Sequence, residues 1–197
     1  MASYHRAPKG GRAALEAFYR GTRRKARPLV FLDFDDVLCT QKPYGGYDVF
    51  LAESERPSDL WERLWHPPAA QTLLAIVEEH RPHVVITTSW LRLLERDGFV
   101  GLFHRTGLGV IADELHDAWD APQDRGHTRH QAIEKWLHAR YVGQPLVVLD
   151  DDLSGTGLRG SRLDKAGCVV FCKAGVGLHA GHLPAVRSAL SGERGRI

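Results

Sequence analysis

Three short apolar segments of this chain are each followed at once by acidic or hydroxyl side chains, and this pattern restricts the folds open to it. The segments are residues 29–32, 83–86 and 145–149, followed by residues 33–36, 87–89 and 150–152. Short, continuous apolar runs are typical of strands buried on both faces of a parallel sheet. Because open α/β sheets form their sites at the carboxyl ends of such strands, we expect these polar side chains to converge on one crevice.

The rest of the chain alternates between helical and strand patterns. We predict helices over residues 67–80, from Trp90 to Arg96 and onward, 130–141 and 181–190, a fourth buried strand over 167–171 and a short strand over 108–111. Residues 39–60 and 112–127 are polar and interrupted by Pro and Gly, so we predict loops there. Strands that alternate with helices predict a three-layer α/β/α sandwich with a mostly parallel central sheet.

Composition excludes some classes of protein. A length of 197 residues fits one domain. No apolar run reaches the roughly 18–20 residues that span a bilayer, and the N-terminus lacks the apolar region of a secretory signal. The cysteines, Cys39, Cys168 and Cys172, form no even set for disulfide pairing. We therefore expect a protein of the reducing cytoplasm with no membrane contact.

Residues 1–27 form a basic N-terminal segment ahead of the main domain, residues 28–197. This segment carries eight arginine and lysine residues against one acid, Glu16, although the net charge of the whole chain is only +2. We predict a short helix over residues 11–19 and otherwise partial disorder. Such a segment can meet a nucleic-acid backbone or an anionic substrate. The alternative is a solvated helix and a frayed terminus.

Several carboxylates in one crevice repel one another and need a cation. Oxygen ligands alone select a hard ion, Mg²⁺ above all when phosphate is present. Asp33 and Asp35 are two residues apart, a spacing that lets both reach one phosphoryl group. One carboxylate can attack phosphorus to form an aspartyl-phosphate while the other handles the proton of the leaving group. A hydroxyl of Thr87 or Thr88 can hold a non-bridging oxygen, and a cationic side chain must balance the transferred charge.

These motifs resemble those of the haloacid dehalogenase (HAD) superfamily of phosphohydrolases. Asp33-Phe34-Asp35-Asp36-Val37 matches its first motif, Val84 to Thr88 its second and Val147 to Asp151 its fourth. The resemblance implies a HAD-like Rossmannoid fold and a Mg²⁺-dependent phosphatase. It implies that Asp33 is the nucleophile and Asp35 the general acid, then the general base, which also offers its backbone carbonyl to the metal. It further implies that Asp150 is a metal ligand that Asp151 supports.

Two positions depart from the superfamily pattern. The third motif is usually a lysine, and here we choose Arg129 as the phosphate-binding cation, with Arg125 and Lys135 as alternatives. Asp36 stands where glycine is common, which adds charge and removes backbone freedom. The chain otherwise resembles, over roughly residues 28–190, a branch with a minimal cap that includes the HAD domains of Swiss Army knife RNA repair proteins. This implies a phosphorylated substrate, either a small molecule such as a nucleotide or a nucleic-acid end.

Other interpretations remain open at the level of sequence. Thr87 to Ser89 are also suitable caps for the next helix. Tyr44 to Tyr47 follow the first strand and are either a flap that contacts substrate or an ordinary loop. The whole chain is alternatively a phospho-receiver domain, which also clusters acids at strand ends, or a catalytically weak module that binds nucleic acid through residues 1–27.

Overall fold

The computed structural model describes residues 26–191, and its centre is a five-stranded sheet in which every pairing is parallel. The strands are β1 (Leu29–Leu32), β2 (His83–Ile86), β3 (Leu115–Asp120), β4 (Leu146–Asp151) and β5 (Val169–Cys172). They lie in the order β3-β2-β1-β4-β5, which places β1 between β2 and β4. The predicted α/β class and the mostly parallel sheet are therefore confirmed.

Helices of very different lengths connect the strands. The α-helices are α1 (Gly46–Val49), α2 (Leu60–Arg63), α3 (Pro67–His80), α4 (Arg96–Arg105), α5 (Gly109–Asp113), α6 (Arg129–Arg140), α7 (Arg162–Lys165) and α8 (Leu183–Leu190). Short 3₁₀ turns occupy Glu53–Glu55, Ser89–Arg92 and Ala180–His182. None of the helices within residues 26–191 is long and apolar enough to cross a membrane.

Successive side chains of β1 point to opposite faces of the sheet and pack into two separate cores, one on each face. Val30 and Leu32 belong to a core that also contains apolar side chains of α3, α4, α5 and α8. Leu29 and Phe31 point the other way and pack with side chains of α6 and α7. Because both faces of the strand are covered, all four of its residues are fully buried. This arrangement explains why β1 reads as a continuous apolar run and confirms the three-layer sandwich.

Most predicted elements are confirmed within a residue or two, and the two largest errors fall in one region, residues 108–127. The predicted strand over residues 108–111 is wrong, because Leu108, Ile111 and Ala112 are buried at helical spacing in and beside α5. The predicted loop over 112–127 is also wrong, since it contains β3. This strand lies at the sheet edge and is only partly buried, so it needs no continuous apolar run.

Two smaller corrections concern helices near the site. The helix predicted from Trp90 to Arg96 is instead a 3₁₀ turn, Ser89–Arg92, and α4 begins only at Arg96. The predicted loop over residues 39–60 contains α1 and a 3₁₀ turn. The predicted helix over 11–19 lies outside the described residues, as does nearly all of the basic segment 1–27. The division into that segment and a domain over 28–197 stays a prediction.

Candidate active site

The register of the three central strands brings their terminal polar residues side by side. Leu32 at the end of β1 is paired with Ile86 of β2 and Leu149 of β4. The residues that directly follow Leu32, Ile86 and Leu149 are Asp33, Thr87 and Asp150. Backbone hydrogen bonds continue the ladder, from Asp33 N–H to the Leu149 carbonyl (3.0 Å) and from Thr87 N–H to the Leu32 carbonyl (2.9 Å).

Three carboxylates form a buried acidic cluster at this edge. Asp33, Asp150 and Asp151 are each at most 2% exposed, and one oxygen of each lies within 4.8 Å of the other two. Burial raises the pKa of Asp150 to about 8, and repulsion from Asp33 adds to that shift. Burial also raises the pKa of Asp33, although the Arg129 guanidinium opposes this effect. A bound cation would relieve both costs, so the cluster suits a hard divalent metal.

The cationic partner of this cluster is Arg129, the first residue of α6. Thr128 caps α6 by accepting a hydrogen bond from Gln131 N–H, which fixes where the helix begins. Arg129 Nη2 then lies 3.2 Å from Asp33 Oδ1, and Nε forms an ion pair with Asp150 Oδ2 at 3.0 Å. The side chain is 2% exposed. The guanidinium pairs with two of the three carboxylates of the cluster, so the cluster can accept a further positive charge.

The two alternatives for this cation lie elsewhere. Lys135 is 72% exposed on its side chain and forms an ion pair with Asp124 at 2.8 Å. Arg125 lies in an exposed turn. Among the three candidates, Arg129 is therefore the one that the structure brings to Asp33.

The two threonines after β2 have different surroundings. Thr88 caps the 3₁₀ turn, with its Oγ1 3.5 Å from Trp90 N–H, so the capping interpretation applies to this residue. Thr87 Oγ1 is fully buried and has no hydrogen-bond partner within residues 26–191, and the same holds for Arg129 Nη1. Buried polar groups rarely lack partners, and an anionic oxygen between strand ends would supply one.

Ser154 is a site residue that the sequence analysis missed. Its hydroxyl lies 3.0 Å from Asp33 Oδ2 and 3.3 Å from Asp150 Oδ1, and it also contacts Asp151 Oδ2. Asp151 Oδ1 accepts hydrogen bonds from the backbone N–H groups of Leu153 and Ser154, which folds the loop back over the cluster. Aspartate often begins turns of this kind by accepting hydrogen bonds from backbone N–H groups two and three residues later. The aspartate at position 151, three residues before Ser154, was therefore the signal in the sequence that could have indicated this turn.

Asp35 lies apart from the acidic cluster and faces a different partner set. Its Oδ2 accepts a hydrogen bond from Trp90 Nε1 (2.9 Å), and its Oδ1 accepts one from Gln41 Nε2 (2.9 Å). Its carboxylate is not part of the metal-competent group found among the described residues. The side chain is half-buried and lines an open cavity of about 270 Å³. The two aspartates of the first motif thus face different environments.

Asp36, which replaces the usual glycine, adopts a backbone conformation that glycine would favour. Its φ is 55°, in the left-handed region that aspartate tolerates better than most residues. Its Oδ1 accepts a hydrogen bond from Gly175 N–H (2.7 Å), which ties the loop after β1 to the loop after β5. The side chain therefore makes a contact that glycine could not make.

The other candidate ligands lie outside this centre. Within residues 26–191, the acidic cluster is the group of His, Cys, Asp and Glu residues that could hold a metal ion. The three cysteines are buried, and none of them forms a disulfide bond within residues 26–191. Burial together with the nearby carboxylates raises the pKa of Cys172 to about 12.

Comparison with known proteins agrees with this geometry. A family model described as the HAD domain in Swiss Army Knife RNA repair proteins matches residues 29–183. The chain belongs to this family. No curated protein and no solved structure matches the chain. Membership in the HAD family supports a hydrolase of the phosphatase type in general, and the acidic cluster is compatible with metal binding.

Proposed function

We propose that this protein is a Mg²⁺-dependent phosphomonoester hydrolase that acts through an aspartyl-phosphate on Asp33. The observation that carries the proposal is the position of Asp33, buried beside the Arg129 guanidinium and within 4.8 Å of Asp150 and Asp151. A carboxylate held between a cation and a candidate metal site can approach a phosphoryl group that would otherwise repel it.

Asp33, Asp150 and Asp151 are the side chains that would hold the metal, with Asp35 assigned through its backbone carbonyl by the family pattern. The charge and burial of the three carboxylates fit a hard cation. When bound, Mg²⁺ neutralises charge on the attacking carboxylate and on the phosphate. Ser154 orients Asp33 and Asp150 through its hydroxyl.

The chain's own residues would then carry two displacements at phosphorus. An oxygen of Asp33 forms a bond to phosphorus, the bond from phosphorus to the ester oxygen breaks, and the Asp35 carboxyl gives its proton to the departing oxygen. Asp35, now a carboxylate, takes a proton from water, whose oxygen attacks phosphorus and releases inorganic phosphate and free Asp33. Thr87 Oγ1 and Arg129 Nη1, both without partners in the described structure, would bind non-bridging oxygens.

We further propose that the substrate is a nucleotide or a phosphorylated nucleic-acid end in the cytoplasm. The printed name of the family, which refers to RNA repair, supports this class of substrate. The basic segment 1–27 supports it as well, because eight cationic side chains can bind a phosphate backbone.

Phosphate release by the full chain tests this function. Mg²⁺ should support release from at least one member of a panel of nucleotides, sugar phosphates and 3′- or 5′-phosphorylated oligonucleotides, and EDTA should abolish it. Asp33→Asn should lower the rate of phosphate release at least about 10⁴-fold, because the nucleophile is lost. Asp124→Asn, which changes an exposed acid paired with Lys135, is the control and should retain the rate.

Two results would overturn the proposal in favour of the alternatives. Stable phosphorylation of Asp33 by a small phosphodonor, without turnover, would favour a receiver domain. Salt-dependent RNA binding that is lost on deletion of residues 1–27, with no release of phosphate from any substrate, would favour a binding module.

A further inference from the structure

We propose that the cavity beside Asp35 is a leaving-group subsite for an uncharged, flat aromatic group, the nucleoside part of the substrate. This inference rests on the proposed phosphatase function, because it assigns the space next to the proposed general acid. The cavity has a volume of about 270 Å³, and its lining residues are Asp35, Gln41, Gly46, Tyr47, Phe50, Ser89, Trp90 and Leu93. We call this the leaving-group pocket.

The charge of the lining indicates what the pocket can bind. Among the described residues that line it, Asp35 is the one acidic side chain, and none is a lysine, arginine or histidine. A leaving group with a second phosphate or a carboxylate would meet this carboxylate without any lysine or arginine to balance it. The pocket therefore favours an uncharged leaving group.

The shape and chemistry of the walls favour a flat ring. Tyr47, Phe50 and Trp90 contribute aromatic surfaces and Leu93 an aliphatic one. Tyr47 is 78% exposed and Leu93 is 64% exposed, an unusual state for two large side chains that line one cavity. Stacking of a base on an aromatic side chain buries such surface and tolerates any base, because each base has a π-face.

Two polar side chains distinguish a nucleoside from a plain phenyl ring. Gln41 and Ser89 line the same pocket and carry an amide and a hydroxyl, which can exchange hydrogen bonds with the edge of a base or with a ribose. Gln41 Nε2 and Ser89 Oγ already contact the Asp35 carboxylate (2.9 and 3.5 Å), and their oxygen atoms can still accept hydrogen bonds. The N–H and O–H groups of a nucleoside can donate these bonds, whereas the ring of a phenol cannot. The lining thus matches a nucleoside better than a phenol.

The inner wall of the pocket is built rigidly. Trp90 packs edge-on against Phe34 (centroids 5.2 Å apart) and Phe50 (5.6 Å), and its indole N–H is held by Asp35. The backbone of α1 lies directly against this ring, because a Cβ added to Gly46 would be 2.7 Å from Trp90 Nε1. A wall fixed in this way loses little entropy when a ligand binds.

A pair of substrates that differ only in the base tests the subsite. We expect wild-type protein to hydrolyse adenosine 5′-monophosphate with a kcat/KM at least about tenfold above that for ribose 5-phosphate, given the strength of base stacking. Tyr47→Ala should lower this ratio about tenfold, whereas Tyr47→Phe, which keeps the ring, should restore most of it. Val142→Ala, which truncates an exposed apolar residue that does not line the pocket, should leave the ratio unchanged.

Direct binding of adenosine, which carries no phosphate, separates this inference from the proposed function. Adenosine should bind wild-type protein and bind Tyr47→Ala about tenfold more weakly. No adenosine binding, or equal kcat/KM for both substrates, would overturn the subsite while leaving the phosphatase intact. A preference for phenyl phosphate that depends on Tyr47, without one for the nucleotide, would overturn the nucleoside assignment. Adenosine binding without any phosphate release would instead retain the subsite and refute the phosphatase.

Discussion

The acidic cluster and the leaving-group pocket lie on either side of one motif and are built in opposite ways. Asp33, Asp150 and Asp151 are almost completely buried and are bound to one another through Arg129 and Ser154. In contrast, Tyr47 and Leu93 in the pocket are largely exposed.

This difference separates two requirements of the proposed reaction. Chemistry at phosphorus needs groups that are fixed before substrate arrives, and buried, mutually paired side chains are fixed. Selection of a leaving group needs exposed side chains that the bound substrate can bury. Asp35 connects the two regions, since it lies two residues after Asp33 in the sequence while its carboxylate lines the pocket.

The largest effect should come from breaking the cluster at its cation. Arg129→Met removes the positive charge beside buried Asp33 and Asp150, and we expect the free energy of unfolding to fall by about 3–5 kcal/mol, as when one partner of a buried pair is removed. Denaturant unfolding in EDTA measures this loss. Arg162→Met is the matched control, because Arg162 pairs with Glu134 at the surface and should cost at most about 1 kcal/mol. Equal losses in both variants would contradict the distinction between buried and exposed pairs.

A somewhat smaller effect should appear when the cluster is titrated without metal. The pKa of Asp150 is about 8 in the folded chain, against 3.8 for an ordinary aspartate, so between these values the folded state holds a proton that the unfolded state has lost. Stability in EDTA should therefore fall as pH rises, by about 2 kcal/mol from pH 6 to pH 8 for one such group.

Mg²⁺ and a substitution provide the checks on this titration. Saturating Mg²⁺ should reduce the fall, because the metal replaces the proton at the carboxylates. Asp150→Asn should reduce it too, since the amide does not titrate. A stability curve that is flat from pH 6 to pH 8 in EDTA would show that Asp150 is already ionised in the folded chain.

The same contrast explains which residues could be predicted from sequence. Asp33 and Thr87 directly follow buried strands, and Asp150 lies near the end of a third. Because parallel register aligns strand ends, the proximity of these residues could be predicted from the sequence. Arg129 was selected over Lys135 because Lys135 lies deep in the helix predicted over residues 130–141. Of Arg129, Arg125 and Lys135, the structure brings Arg129 to Asp33. Strand β3 was missed because an edge strand with one neighbour needs no apolar run.

Residues that act through loop packing could not be predicted in this way. Trp90 reaches Asp35 across 55 positions of the chain, and neither local pattern nor strand register specifies that contact. Ser154 and Gln41 also act from loops, and the close approach of α1 to Trp90 depends on the small size of Gly46. Tyr47 was recognised only as part of a flap or an ordinary loop, because its role depends on what packs beside it.

The smallest effect tests how the two regions are coupled through Asp35. Trp90→Phe keeps a ring in the aromatic core but removes the indole N–H that holds Asp35 Oδ2, a loss of about one hydrogen bond, or roughly tenfold in rate. The rate for ribose 5-phosphate should fall more than that for p-nitrophenyl phosphate, because a good leaving group departs without a proton from Asp35.

Trp65→Phe is a control of the same kind, because Trp65 stacks on Trp90 but donates its indole N–H to Thr106 at 2.7 Å. It should lower stability by a similar amount and leave the ratio of the two rates unchanged. If both variants shift that ratio equally, packing of the aromatic core controls Asp35. If Trp90→Phe alone shifts it, the hydrogen bond itself positions the general acid, and one indole connects the buried chemistry to the open pocket.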